Sequence, residues 1–164
     1  LTVNGRIQAL EAAKWLKDKK IDLIFVSPFL RTKETAEIIG KHIGFDKDKI
    51  ISDDRLHEIN TGIWDGKSFD DFVKGFAHAD RFDIRPEGGE NYIDIKKRIG
   101  DFIYDIESKN SGKNILIISH DTPLFLLKSI AGALDRKQTI DLRGNSDHYN
   151  ANAKPLKLEF DLLF

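Results

Sequence analysis

Cysteine is absent from the 164 residues, which excludes disulfides, thiolate catalysis and cysteine-ligated zinc. That absence is compatible with a cytoplasmic setting, the expected localisation. No apolar run approaches the roughly 20 residues of a membrane-spanning helix, and the opening residues lack a secretory pattern, so no membrane partner is expected. An excess of charge of one sign is also missing. The 26 basic and 27 acidic residues give a formal net charge of -1, so no whole-chain field indicates nucleic acid, although a locally positive pocket stays open. No HExxH motif occurs, and the five histidines, His42, His57, His78, His120 and His148, are not spaced as a zinc site. Neither a metal nor another cofactor is expected.

The length fits one domain over 1–164, enough to bury roughly 70% of the surface of its extended chain. The stretch 114–127, NILIISHDTPLFLL, holds the strongest local signal. Its apolar run, Ile115–Ile118, is too short for an independent helix, and its branched side chains favour a strand covered on both faces. The run stops at Ser119, His120 and Asp121, after which Leu124, Leu127, Ala131 and Leu134 mark a helix. The segment 21–31, IDLIFVSPFLR, repeats the arrangement, with an apolar run ending at Ser27 and Pro28. Two such units predict an α/β three-layer sandwich with a mostly parallel central sheet flanked by helices. Polar residues at strand ends that open helices are where such sheets hold a ligand, and helix starts favour an anion.

Ile7, Leu10, Ala13 and Leu16 predict an opening helix with no strand before it. Pro28 suits a first helical turn, Ser27 is a candidate cap, and Thr32, Ala36 and Ile39 continue one face. A short strand is expected around Ile50 and Ile51, then a polar loop over 53–67 of the kind that covers active sites. A small helix over 69–76 is expected next, with its aromatics in the core or in a substrate cover. A long helix begins near Asn91, with a core stripe from Tyr92 to Ile106 and a stop at Gly112. The tail, 156–164, reads as a terminal strand.

Three residues are suited to phosphate chemistry. Arg31 falls in a first helical turn, where its planar charged fork and the free backbone N–H groups suit one anion; the alternative is a structural ion pair. His120 opens the next helix, where histidine can bind an anion, transfer a proton or attack phosphorus, or simply be tied to the backbone. Glu58 sits in Leu56-His57-Glu58-Ile59, between apolar residues that favour its protonated form and so a general acid; a surface or ion-paired glutamate is the alternative. Asp121 reads as a cap or a supporting partner, and Ser27 and Ser119 as possible supporting residues. His57 reads as a neighbour.

These residues also carry a resemblance. Leu1-Thr2, Gly5-Arg6 and Gln8-Ala9 fit an LTxxGRxQA segment, and Ser27 to Thr32 with Thr35-Ala36 fit SPLxRTxxTA, with Phe29 in place of leucine. Leu56, Glu58, Gly62, Trp64 and Gly66 resemble LxExxxGxWxG, and Pro86, Gly88, Gly89 and Glu90 resemble PxGES, with Asn91 replacing serine and Arg98 in the following helix. Ser119-His120-Asp121 resembles SHG, with aspartate for glycine. In this order and spacing the chain resembles the histidine phosphatase superfamily, also called phosphoglycerate mutase-like, over nearly its whole length.

The resemblance implies phosphomonoester hydrolysis through a phosphohistidine, or mutase-type transfer. Arg31 would clamp phosphate, Glu58 would protonate the leaving oxygen, and His120 would orient and stabilise the transferring group. A small phosphorylated ligand or phosphate is the implied partner. The family's nucleophile belongs to an RHG motif on a first central strand, and no Arg-His-Gly occurs in these residues. The expectation is a domain that is N-terminally incomplete or part of a longer protein, its first central strand missing or supplied by an adjoining segment. Impaired catalysis follows, and a noncatalytic phosphate-ligand or interaction module is the alternative. A terminal strand taking the empty central place is a further conjecture.

Overall fold

A computed structural model describes residues 1–75, 77–144 and 153–158. Among these residues three strands form one parallel sheet: β1 (Leu23–Val26), β2 (Ile50–Ser52) and β3 (Ile115–Ile118), in the order β2-β1-β3. Leu23 pairs with Ile115 and Val26 with Ile118, while Ile24 to Val26 pair with Ile50 to Ser52. The two strands picked out by their apolar runs are therefore direct neighbours, with no strand between them.

Side-chain alternation along β1 and β3 generates the layers. Leu23, Phe25, Ile115 and Ile117 join the core built with α4 (Tyr92–Lys109) and α5 (Asp121–Ala131). Ile24, Val26, Leu116 and Ile118 face the opposite way, toward α1 (Val3–Leu16) and α2 (Leu30–Ile43). The result is the expected three-layer sandwich. On the α4 side, Phe25 meets Phe102 edge-on at 5.4 Å, and burial of each such ring stabilises the fold by about 1.5–3 kcal/mol. A capping box between Asn91 and Asp94 starts α4. The helix stops at Lys109, before Gly112, whose φ of +75° turns the chain toward β3.

Helix α1 forms as expected, and of its expected stripe Ala13 and Leu16 are buried but Ile7 and Leu10 are not. Ala9, Ala12, Ala13 and Leu16 are covered, whereas Ile7 and Leu10 are exposed. Close approach to Ile39 of α2 selects the small residues, so the alanines rather than the larger apolar groups define the contact. Helix α2 begins at Leu30, past Pro28, with Phe29 as its cap residue and no side-chain cap. The short helix α3 (Phe69–Gly75) lies where expected.

Helix α6 (Arg136–Gly144) was not expected from periodicity. Its start is a reciprocal pair: Asp135 accepts from the Gln138 N–H and Gln138 from the Asp135 N–H. The sequence Asp135-Arg136-Lys137-Gln138 carries that capping signal, even though the helix has little apolar stripe. Thr139 is fully buried and hydrogen-bonded to Ser129 of α5 at 2.6 Å. Residues 154–158 form no strand, and 159–164, the rest of the expected terminal strand, lie outside the described residues. Among the described residues no helix is long and apolar enough to cross a membrane.

Candidate functional site

The carboxyl ends of β1 and β3 bring Ser27 and His120 together. His120 is the cap residue of α5, 6% exposed, and its Nε2 lies 2.7 Å from the fully buried Ser27 Oγ. Ser27 therefore does not cap α2 as expected; its hydroxyl is used across the sheet instead. Arg31, in the first turn of α2, donates from Nε to His120 Nδ1 at 3.2 Å, and its Nη2 lies 2.7 Å from the same atom. A guanidinium has only donors, so Nδ1 accepts, and the ring proton sits on Nε2, pointing to Ser27. Burial first, and then the charges of Arg31, His57 and Arg98, depress the His120 pKa to about 4. The imidazole is neutral at neutral pH.

Beside this pair opens a cavity of about 630 Å³ lined by Arg31, Phe29, Glu58, Asp121 and Arg143, among others. His120 stands behind Arg31 and Phe29 rather than on the cavity wall; its ring packs edge-on to Phe29 at 4.9 Å. Glu58 reaches the cavity from the 53–67 loop. Burial raises its pKa most, and Asp121 raises it further, against the N–H groups of Ile59 and Thr122 and the charge of Arg31. A carboxyl held up in this way keeps its proton to higher pH and can donate it.

The loop that presents Glu58 is fastened at several points. Ser119 at the end of β3 donates to the Leu56 carbonyl at 2.7 Å. Glu90 accepts from the Asn60 N–H at 2.9 Å and from Arg98 Nε at 2.8 Å, while Arg98 also reaches the Arg55 carbonyl. Gly62, at φ +57°, lies so close to Glu87 and Gly89 that a Cβ there would meet the Glu87 carbonyl oxygen at 2.1 Å. His57 Nδ1 is 2.5 Å from the Glu58 carbonyl oxygen, which makes it a neighbour of the carboxyl-bearing residue.

Asp121 opens α5 and forms a fork-to-fork pair with Arg143 of α6, Nη1 to Oδ1 at 3.1 Å. Arg81 and Arg143 were not singled out from the sequence. No local pattern marks either residue, since a turn and the unexpected α6 bring them to the cavity. Among the described residues no group of three or more His, Asp or Glu side chains is placed to hold a metal ion. The arrangement suits a small anion: an arginine fork, the start of α5 and a carboxyl whose pKa burial raises, around one opening.

The fold and site thus define an α/β protein with an anion-suited pocket at the carboxyl ends of a parallel sheet. The chain belongs to the histidine phosphatase superfamily, branch 1, whose model matches residues 1–151. It is 25% identical over 130 residues to phosphoserine phosphatase 1 of Hydrogenobacter thermophilus, covering 76% of this chain and 60% of that protein. It is 30% identical over 135 residues to the probable phosphoglycerate mutase GpmB of Escherichia coli, covering 79% of this chain and 61% of that protein. The chain therefore spans about 60% of the length of these curated relatives. Among solved structures, Bacillus stearothermophilus YhfR superposes with a TM-score of 0.71 at 28% identity, over 85% of this chain and 70% of that one. A mycobacterial glucosyl-3-phosphoglycerate phosphatase, also solved with inorganic phosphate, superposes at 0.74 and 21% identity over 86% of this chain and 73% of its own, which shows the shared fold.

Proposed function

We propose that this chain is the phosphate-holding part of a phosphomonoesterase, with Arg31 clamping the phosphate, Glu58 as the proton donor and His120 stabilising the transferring group. The observation that carries the reading is the Arg31 guanidinium set on His120 Nδ1 while lining a cavity that Glu58 also lines. An anion entering there competes for the Arg31 donors and favours a proton on Nδ1, converting His120 from acceptor to charged donor. Ser27 fixes the ring through Nε2, and Ser119 fixes the loop from which Glu58 acts. Asp121 supports the site by raising the Glu58 pKa and holding Arg143.

Hydrolysis by the family's route needs a histidine nitrogen to displace the alcohol oxygen from phosphorus. Glu58 gives that oxygen its proton, and water then breaks the P–N bond. His120 is engaged at both ring nitrogens, by Ser27 and by Arg31, which disfavours it as nucleophile. No Arg-His-Gly occurs in the 164 residues. In this reading an adjoining segment of a longer parent supplies the nucleophile on a strand beside β3. Among the described residues β3 pairs only with β1, and its side chains are half-buried. A strand on its other edge would end beside Ser119 and His120. The 164 residues alone bind phosphate and turn over poorly, and a noncatalytic phosphate-ligand module is the second reading that the missing motif favours.

The test incubates the chain with a panel of phosphomonoesters, assays free phosphate and acid-labile phosphohistidine, and repeats this with His120→Gln. Binding without turnover is expected. Robust turnover that survives the substitution rejects the site assignment, and robust turnover lost in the variant rejects the impairment. Product analysis with monophosphoglycerates separates phosphate release from the isomerisation that the mutase relative's name suggests.

A further inference from the structure

Phosphoryl transfer to an imidazole needs a ring nitrogen with an unshared lone pair beside the phosphate pocket, and three of the histidines do not offer one there. His120 is held at both nitrogens, by Ser27 and by Arg31. His78 is turned to the Tyr92 hydroxyl at 2.8 Å, and burial first, with Arg81 and Arg143, holds its pKa down at about 4. His42 is exposed near the end of α2 and does not line the cavity.

His57 differs from all three. It lines the cavity with Arg31 and Glu58, and its side chain is 31% exposed. Its Nδ1 is 2.5 Å from the Glu58 carbonyl oxygen, which can only accept, so Nδ1 carries the ring proton and donates it there. Nε2 then holds the lone pair, and among the described residues no hydrogen bond engages it. Glu90 Oε2 lies 4.0 Å from the same Nδ1 and is held by Arg98 Nη2 at 3.2 Å. A carbonyl and a carboxylate on the protonated side of an imidazole fix its tautomer, and they favour the positive charge it acquires when the other nitrogen forms a bond. The hydrogen bond also ties the ring to the backbone of Glu58, so one fastened loop presents both groups to one opening.

We infer that His57 is a phosphoryl acceptor, whose Nε2 takes the phosphoryl group of an acyl phosphate held at Arg31. This rests on the phosphate reading of Arg31, and it is a route of this chain's own, separate from the ester chemistry assigned above to a supplied histidine. The Nε2 lone pair forms the P–N bond while the P–O bond to the carboxylate breaks, and the carboxylate leaves with that electron pair. No proton has to follow it, whereas a departing alcohol oxygen would need one. Nδ1 keeps its proton, so the ring becomes a phosphoimidazolium facing the Glu58 carbonyl and Glu90. Water then bonds to phosphorus, the P–N pair returns to Nε2, and the proton that water gives up leaves on the phosphate.

Incubation of this chain with acetyl phosphate, followed by mass-spectrometric mapping of acid-labile phosphohistidine, tests it. His57 is expected to be labelled about tenfold or more faster than the exposed His42, which reports the reaction without a binding site. Inorganic phosphate should slow the labelling of His57 but not of His42, and Arg31→Ala should bring the His57 rate down to that of His42. In the NMR spectrum of the labelled chain, phosphorus should couple to both ring C–H protons of His57, the pattern of a bond to Nε2. Labelling of His57 no faster than His42, a label carried by His120 instead, or a His57 rate that phosphate leaves unchanged overturns this inference alone when calorimetry still shows saturable phosphate binding. A folded chain that binds no phosphate overturns the phosphate reading and this acceptor with it.

Discussion

Arg31 and His120 meet nitrogen to nitrogen: the guanidinium Nε donates at 3.2 Å to an imidazole nitrogen whose ring partner faces Ser27. The contact requires a neutral ring, because a proton on Nδ1 would set donor against donor. An anion that draws Arg31 away should therefore bring a proton with it. Sulfate, which does not titrate between pH 5 and 6, is a suitable probe. Calorimetry in buffers of different ionisation enthalpy should show proton uptake on binding in that range and none near pH 8. His120→Gln should reduce the uptake to what Glu58 contributes; unchanged uptake in that variant excludes His120 as its source.

Removing the Arg31 charge should free His120 only in part. Burial is the larger cause of its depressed pKa and Arg31 the next. In Arg31→Ala, a ring-proton titration by NMR should find the His120 pKa above about 4 but still below the ordinary 6.5. The same variant should lose about 10–100-fold in affinity for inorganic phosphate, the loss of a charge-assisted fork. Full recovery to 6.5 would mean that burial contributes little.

Stability should fall as the solution is acidified from pH 6.5 toward 4. Above 6.5 His120 is neutral whether the chain is folded or unfolded. Between 6.5 and about 4 the unfolded chain takes up a proton that the folded site resists, and below 4 the effect levels off. The loss from His120 is on the order of 3 kcal/mol. Glu58 acts in the opposite sense, because its raised pKa makes the folded chain the better proton binder. Urea midpoints against pH should decline more steeply in Glu58→Gln than in the unaltered chain.

Ser27→Ala should cost about 1–3 kcal/mol, because it leaves the buried His120 Nε2–H without its 2.7 Å partner. The expected readout is a lower urea midpoint at pH 8, where protonation plays no part. Gly62→Ala should cost more and weaken phosphate binding as well, since its Cβ would meet the Glu87 carbonyl and lift the loop that carries Glu58. A Gly62→Ala variant with unchanged stability would contradict the close packing of the two loops.

Much of this site is written locally. Apolar runs ending in Ser27 and in Ser119-His120-Asp121 mark the strands and the crevice, because a strand covered on both faces must be apolar until it ends. Arg31 and His120 fall at helix starts that the same pattern locates. Arg81 and Arg143 are not legible in this way: Arg81 packs on Phe72 and Tyr92 through a short turn, Arg143 reaches Asp121 from α6, and α6 lacks the apolar stripe that would have announced it. Asp121 reads as a cap locally, whereas its use as an anchor for Arg143 depends on where α6 lies. The exposed Ile7 and Leu10 mislead for a related reason, since periodicity marks apolar residues without showing that close helix packing prefers the alanines beside them.

The most direct measurement titrates inorganic phosphate into the labelled chain and follows the Arg31 Nε and His120 ring resonances by NMR. One-to-one saturation is expected, with shifts centred on Arg31, His120 and the Thr122 N–H, and lost in Arg31→Ala. A folded chain that binds no phosphate, or binds it with these resonances unmoved, contradicts the assignment of the phosphate site.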